Sequence, residues 1–289
     1  MHDGTPHFDA LLPPAMAARA EEVGVRKAAM PAVTLFVLAV LAGAFIALGG
    51  GFATTVLADA EQMLSYGVAR LLAGVVFSLG LILVIVGGAE LFTGNNLIVM
   101  AWASRRVSTL SIVRNWTIVY VGNFVGAFST AVLVFASGQY AFGGGAVGAS
   151  ALAIAEAKVS LAPLQALALG ILCNGLVCLA VWLAFSARSA IDRVAVIVAP
   201  IAAFVAAGFE HSVANMYFIP IGILIKLYAP ESFWTASGLD PAAYGDLTIE
   251  AFIANLMPVT IGNVIGGTLL VGAVYWFVYL RPAVTSGRG

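Results

Sequence analysis

A chain of 289 residues that is 62% hydrophobic and only 9% charged departs far from a soluble domain, where about a quarter of residues carry charge. Most of its apolar surface must face lipid. A net charge of −1, without any basic tract, argues against a nucleic-acid partner.

Residues 1–30 carry acids and prolines ahead of the first apolar run. They read as a cytoplasmic helix or tail rather than a cleavable signal peptide, with His2 and His7 as solvated tail residues. A span needs about 20 apolar residues. The uncharged runs Lys27–Asp59, Arg114–Glu156, Lys158–Arg188 and Glu250–Arg281 therefore hold one helix each. Gly143, Gly144 and Gly145 end the helix of the second run, which leaves 137–162 as a loop with an irregular glycine-rich middle. Two further runs are interrupted: Arg70–Glu90 resumes until Arg105, and Arg193–Glu210 resumes until Lys226. Each pair reads as one broken span, for six in all, filling a channel domain over 31–281 with a short cytoplasmic tail at 282–289. Six spans put both termini on one side. That side collects ten Lys and Arg against three on the other, which predicts cytoplasmic termini. Cys173 and Cys178, five apart in one apolar helix, fit neither a disulfide nor a metal site and read as small buried side chains.

The third and sixth spans share a pattern. Asn115, Gly122, Asn123 and Gly126 recur as Asn255, Gly262, Asn263 and Gly266, at an offset of 140. The interruptions match as well: GAELFTGN (88–95) and GFEHSVAN (208–215) share Gly, Glu and Asn at an offset of 120. This predicts a duplication, with repeat one over about 31–136 and repeat two over about 163–281. Three spans per copy force the copies to run in opposite directions. Inverted repeats with a broken helix in each half are a transport architecture whose breaks meet near the midplane.

The glycines, three or four apart, suit close helix crossings. Glu90 and Glu210 cost about 2.5–3.5 kcal/mol each at membrane depth. Their matched positions, with Asn95 and Asn215, point to a structural role in which they accept hydrogen bonds from backbone freed at each break. His211 is different, because its repeat partner is Leu91. With Thr93 on the opposing break it reads as a pore residue able to exchange a proton near neutral pH. Asn174 on the fourth span is placed to fix its tautomer by a hydrogen bond.

At these residues the chain resembles the formate/nitrite transporter family, most closely its formate-channel branch. The likeness is carried by AELFTGN (89–95), ILCNGLVCLAVW (171–182), FVAAGFEHSVANMYFIPIG (204–222) and NLMPVTIGNVIGG (255–267). The resemblance implies an aquaporin-like fold of six helices, a homopentamer with one pore per subunit, and location in the inner (plasma) membrane. It implies passage of small anions: formate, with nitrite, hydrosulfide and acetate as relatives' cargoes. It also implies no cofactor. By motif it implies a central pair of His211 and Thr93 with Asn174 beside the histidine. Leu81 and Phe204 would form a cytoplasmic constriction, and Phe77, Phe92 and Val177 an outer one. Lys158 would be a vestibule lysine that attracts anions. After ELFT this chain has Gly94-Asn95-Asn96, where many formate channels carry small hydroxyl residues, so substrate choice is less constrained by the motif than the family is.

Two other classes fit the architecture less well. A haem-bearing subunit of a formate-oxidising complex would usually want a second axial ligand, and no second histidine stands in the spans. A water or glycerol channel would carry an NPA-like signature, which is absent, and would not place two acids in its spans.

Overall fold

A computed structural model describes residues 10–281, apart from the side chains of 61 and 62. His2, His7 and the 282–289 tail lie outside the described residues. Those residues are helical throughout, with no strand among them. Apolar side chains facing lipid leave backbone groups no partner except their own helix.

Nine principal helices organise the described residues: α1 (Pro13–Ala28), α2 (Ala32–Leu57), α3 (Tyr66–Gly87), α4 (Thr109–Ala136), α5 (Ala146–Val159), α6 (Pro163–Ser186), α7 (Ala190–Ala206), α8 (Ser212–Tyr228) and α9 (Ile249–Tyr279). Of these, α2, α3, α4, α6 and α9 are each long and apolar enough to cross a membrane. By the same measure α8 makes a sixth with the short helix Glu231–Ser237, which bends 110° away from it. Residues 207–211 join α7 to α8, as 88–91 join α3 to the short turns Phe92–Asn95, Asn96–Ile98 and Val99–Ala103. The two broken elements sit where the hydropathy pattern put them.

Tight glycine crossings hold each copy together internally. A Cβ on Gly126 would run into the Val40 carbonyl oxygen, and one on Gly266 into that of Ile171. Val40 and Ile171 are 131 apart, a third offset that relates α2 to α6. It also relates Lys27, near the end of α1, to Lys158, near the end of α5. Each copy therefore has four helical elements, and α1 belongs to the first. Met16, Ala17, Ala20 and Gly24 of α1 are buried against the bundle.

Two stretches differ from the sequence reading. Residues 146–159, expected in an irregular loop, form α5. Gly143, Gly144 and Gly145 all have positive φ and make the turn, after which an alanine-rich segment of high helix propensity takes over. The sixth span is not uniform either, since Gly266–Ala273 widens into a π-helix. There Gly267 lies against Asn174, Asn96 and Cys178, with no room for a Cβ.

Candidate functional site

Each break opens with a glycine in the left-handed region, Gly88 at φ 83° and Gly208 at φ 73°, which ends the preceding helix. The extended residues that follow need partners for their backbone. Two buried asparagines supply most of them. Asn123 Oδ1 accepts from the Phe92 N–H (2.9 Å), while its Nδ2 donates to the carbonyls of Ala39 (2.7 Å) and Glu90 (2.9 Å). Asn263 does the same for Ser212 (2.9 Å), Gly170 (2.8 Å) and Glu210 (2.9 Å). The Glu90 and Glu210 amides donate to the Leu38 and Leu169 carbonyls.

The glutamate side chains, expected to accept from freed backbone, do something else. Glu90 Oε1 is ion-paired with Lys27 (2.8 Å) and Oε2 accepts from Asn95 Nδ2 (2.8 Å). Asn95 continues to Asn115 Oδ1 (3.0 Å), whose Nδ2 closes the ring on the Lys27 carbonyl (3.0 Å). The second copy repeats these links: Glu210 with Lys158 (2.7 Å) and Asn215 (2.6 Å), Asn215 with Asn255 (2.8 Å), Asn255 with the Lys158 carbonyl (2.7 Å), and lacks only a counterpart of the bond from Lys27 to Asn95 Oδ1 (2.9 Å). A carboxylate with both oxygens partnered and a cation beside it is the form in which a charge is tolerated in a low-dielectric interior. A backbone amide can be capped by a neutral side chain at lower desolvation cost. Hence asparagine caps the breaks and glutamate anchors the lysines.

His211 is buried and stands at the N-cap of α8. Its Nδ1 accepts from the Ala214 N–H at 3.0 Å. In the neutral ring the proton must then sit on Nε2, which faces Thr93 Oγ1 at 3.0 Å. With Nε2–H as donor, the threonine hydroxyl hydrogen is free to turn toward a third group. The Phe204 ring stacks on the imidazole, with centroids 6.0 Å apart.

Asn174 makes no hydrogen bond to the histidine. Its amide nitrogen faces Asn96 Oδ1 (2.7 Å), the Asn263 carbonyl (2.6 Å) and, more distantly, the Thr93 carbonyl (3.3 Å). It braces the Thr93 loop against α9, and the tautomer is fixed by the helix start instead. Cys178 donates to the same Thr93 carbonyl, and both cysteines are buried free thiols.

Two cavities approach this centre from opposite faces. One, about 260 Å³, is lined by Lys27 of α1 together with Leu81, Val84, Leu91, Gly94 and Val181, on the face of the termini. The other, about 60 Å³, is lined by Lys158, Arg70, Phe77, Phe204, Phe218 and His211. This regroups the constriction residues. Phe204 does not join Leu81; its ring meets that of Phe77, 5.6 Å away and edge-on, in the Lys158 cavity. The inversion explains it: the repeat partner of Phe204 is Val84, which lines the opposite cavity beside Leu81. Phe92 packs on Trp116 and Tyr120 and lines a lateral groove between α4 and α9. Val177 is buried on α6 and lines neither cavity. Lys158, expected as a vestibule lysine that attracts anions, lines the narrow cavity and the wider mouth outside it, where it is ion-paired with Glu210 and lies over the Phe218 ring. Its charge is largely neutralised inside the protein.

Lys27, Asn123, Asn263, Asn115 and Asn255 were not among the site residues expected from sequence. All four asparagines stand in the recurring pattern, beside glycines whose packing role accounts for the spacing by itself. Lys27 is detectable as the counterpart of Lys158 only through the 131 offset. No cluster of side chains able to hold a metal occurs among the described residues.

Comparison with known proteins places this arrangement. The Formate/nitrite transporter family model matches residues 14–277. Formate channel FocA of Escherichia coli K12 is 49% identical over 275 residues, covering 95% of this chain and 96% of that protein. Formate channel FocA of Haemophilus influenzae is 41% identical over 254 residues, covering 88% and 89%. A solved structure described as a pentameric formate channel with formate bound superposes with a TM-score of 0.82 at 49% identity, covering 86% of this chain and 98% of that one. These relatives are channels, not enzymes. The chain is a multi-pass membrane protein and belongs to the formate/nitrite transporter family.

Proposed function

We propose that this chain conducts formate across the inner (plasma) membrane, through one pore in each subunit of a homopentamer, with both termini cytoplasmic. The observation that carries the reading is the Thr93–His211 contact between two opposed cavities, in a chain similar along nearly its whole length to proteins named as formate channels.

In this reading a formate oxygen accepts hydrogen bonds from the Thr93 hydroxyl and from Nε2–H of His211, replacing part of its hydration in a region of apolar rings. His211 is the proton donor and acceptor. The ring first takes up a proton from solution at Nδ1, giving up the bond from Ala214; the imidazolium then passes one proton to formate, so each formic acid formed consumes one proton from solution and leaves the ring neutral. Formate then leaves as formic acid, so flux depends on pH. The cavity-lining Leu81, Phe77 and Phe204 exclude hydrated ions, while Phe92 and Val177 support the walls from behind. Glu90, Glu210, Asn95 and Asn215 hold the breaks in place through the two lysine networks.

Stopped-flow formate uptake into proteoliposomes at two pH values tests this, with nitrite, hydrosulfide and acetate as competitors. Rapid formate uptake with the same pH profile in His211→Asn would remove the histidine from the proton step. A preference for nitrite or hydrosulfide over formate would change the cargo.

A further inference from the structure

One cation beside the pore is not explained by the duplicated framework. Arg70, near the start of α3, lines both the narrow cavity that ends on His211 and the wider mouth outside it, about 560 Å³. Its Nη2 donates to the Val205 carbonyl at 2.6 Å, and its Nε is buried without a partner. Among the described residues no carboxylate lies within ion-pair distance of it. Lys158, the neighbouring cation, is neutralised by Glu210. Asp59 and Glu210 line the mouth, and no acid lines the narrow cavity.

Symmetry isolates the residue further. At the 120 offset that relates α3 to α7, the partner of Arg70 is Ala190. The opposite cavity has Lys27 as its one lining cation among the described residues, held by Glu90 and Asn95. The two approaches are thus alike in their lysine–glutamate anchors and differ by one guanidinium without a paired carboxylate among the described residues.

We propose that Arg70 forms an anion-capture site on the face opposite the termini, taking a small monovalent carboxylate or similar oxyanion before it passes the Phe77–Phe204 pair. The inference rests on the transport reading above. The guanidinium fork suits a carboxylate, and the buried Nε–H has no acceptor among the described residues. Nη2 already holds the carbonyl next to Phe204, so an anion on the same fork competes with that bond and reaches the ring that gates the histidine.

A purely structural role predicts something else. Arg70 also meets the last turn of α7, where a cation favours the helix end. Saturation curves of formate uptake into proteoliposomes by the unsubstituted chain, R70Q and R70K separate the two roles. Capture predicts a half-saturating formate concentration raised about three- to tenfold in R70Q, with the maximal rate kept within about twofold and R70K, which keeps the charge but not the fork, between R70Q and the unsubstituted chain. An unchanged half-saturation in R70Q, or a maximal rate lost equally in R70Q and R70K, overturns the proposal. No formate uptake by the unsubstituted chain overturns the transport reading itself, a result visible before any variant is compared.

Discussion

Lys27, on the helix ahead of the first span, is ion-paired at 2.8 Å with Glu90 in the break of the second. The bond ties a peripheral helix to the irregular backbone beside the pore. It also makes α1 the counterpart of α5, so that neither is an accessory.

Lys27→Met leaves Glu90 buried beside one amide instead of an ammonium. Breaking a buried pair costs about 3–5 kcal/mol, and the lower end applies because Lys27 keeps 25% of its side chain exposed. Thermal unfolding in detergent should show Lys27→Met less stable than the double variant Lys27→Met/Glu90→Gln, which removes the stranded charge as well.

Asn123 and Asn263 make the same three bonds in two places, so their loss should look alike. Alanine at either site strands a buried amide and two carbonyls, each worth about 1–3 kcal/mol. Asn123→Asp keeps the acceptor for Phe92 but loses both donors. Its second carboxylate oxygen faces the Ala39 and Glu90 carbonyls in a buried site, so the expected order of melting temperature is unsubstituted, then alanine, then aspartate.

His211→Asn separates the two jobs of the histidine. Asparagine is a good N-cap, so α8 should keep its start within about 1 kcal/mol of stability. Its amide does not titrate, and the pH profile of formate uptake should flatten. Thermal unfolding and uptake measured on the same preparation check both.

Asn174→Ala removes the brace between the Thr93 loop and α9. Asn96, already with one buried amide nitrogen unpartnered, loses the donor to its Oδ1 too. Hydrogen exchange over 93–98 should quicken by about tenfold or more, the change expected for losing one or two bonds of about 1 kcal/mol each, while the 211–215 segment stays protected.

Much of this architecture was legible in sequence because its signals are local. A Gly and a Glu followed by Asn, placed between two apolar runs, mark a break without knowledge of the fold. An Asn followed seven and eight residues later by Gly-Asn marks the matching span. What stayed hidden depends on contacts far apart along the chain. Asn123 donates to the carbonyls of Ala39 and Glu90, and nothing near residue 123 announces them. The pairing of Lys158 with Glu210 was hidden because the two lie 52 residues apart, and only folding brings them together. The grouping of Phe204 with Leu81 failed for a different reason: in an inverted repeat, equivalent positions face opposite sides. The third offset, 131, is hard to see because Lys27 and Lys158 lack a shared string around them.

Several positions where the two copies disagree stand at the pore: His211 faces Leu91 across the duplication, Thr93 faces Val213, Asn174 faces Gly43 and Arg70 faces Ala190. A dimer of identical half-length chains would carry two central histidines or none, and two capture arginines or none. Within one chain the two halves are free to differ at these positions. In the proposed reading a lone central histidine and a sided passage follow from that difference, and a chain forced back to strict self-likeness would be a passage that treats both directions alike.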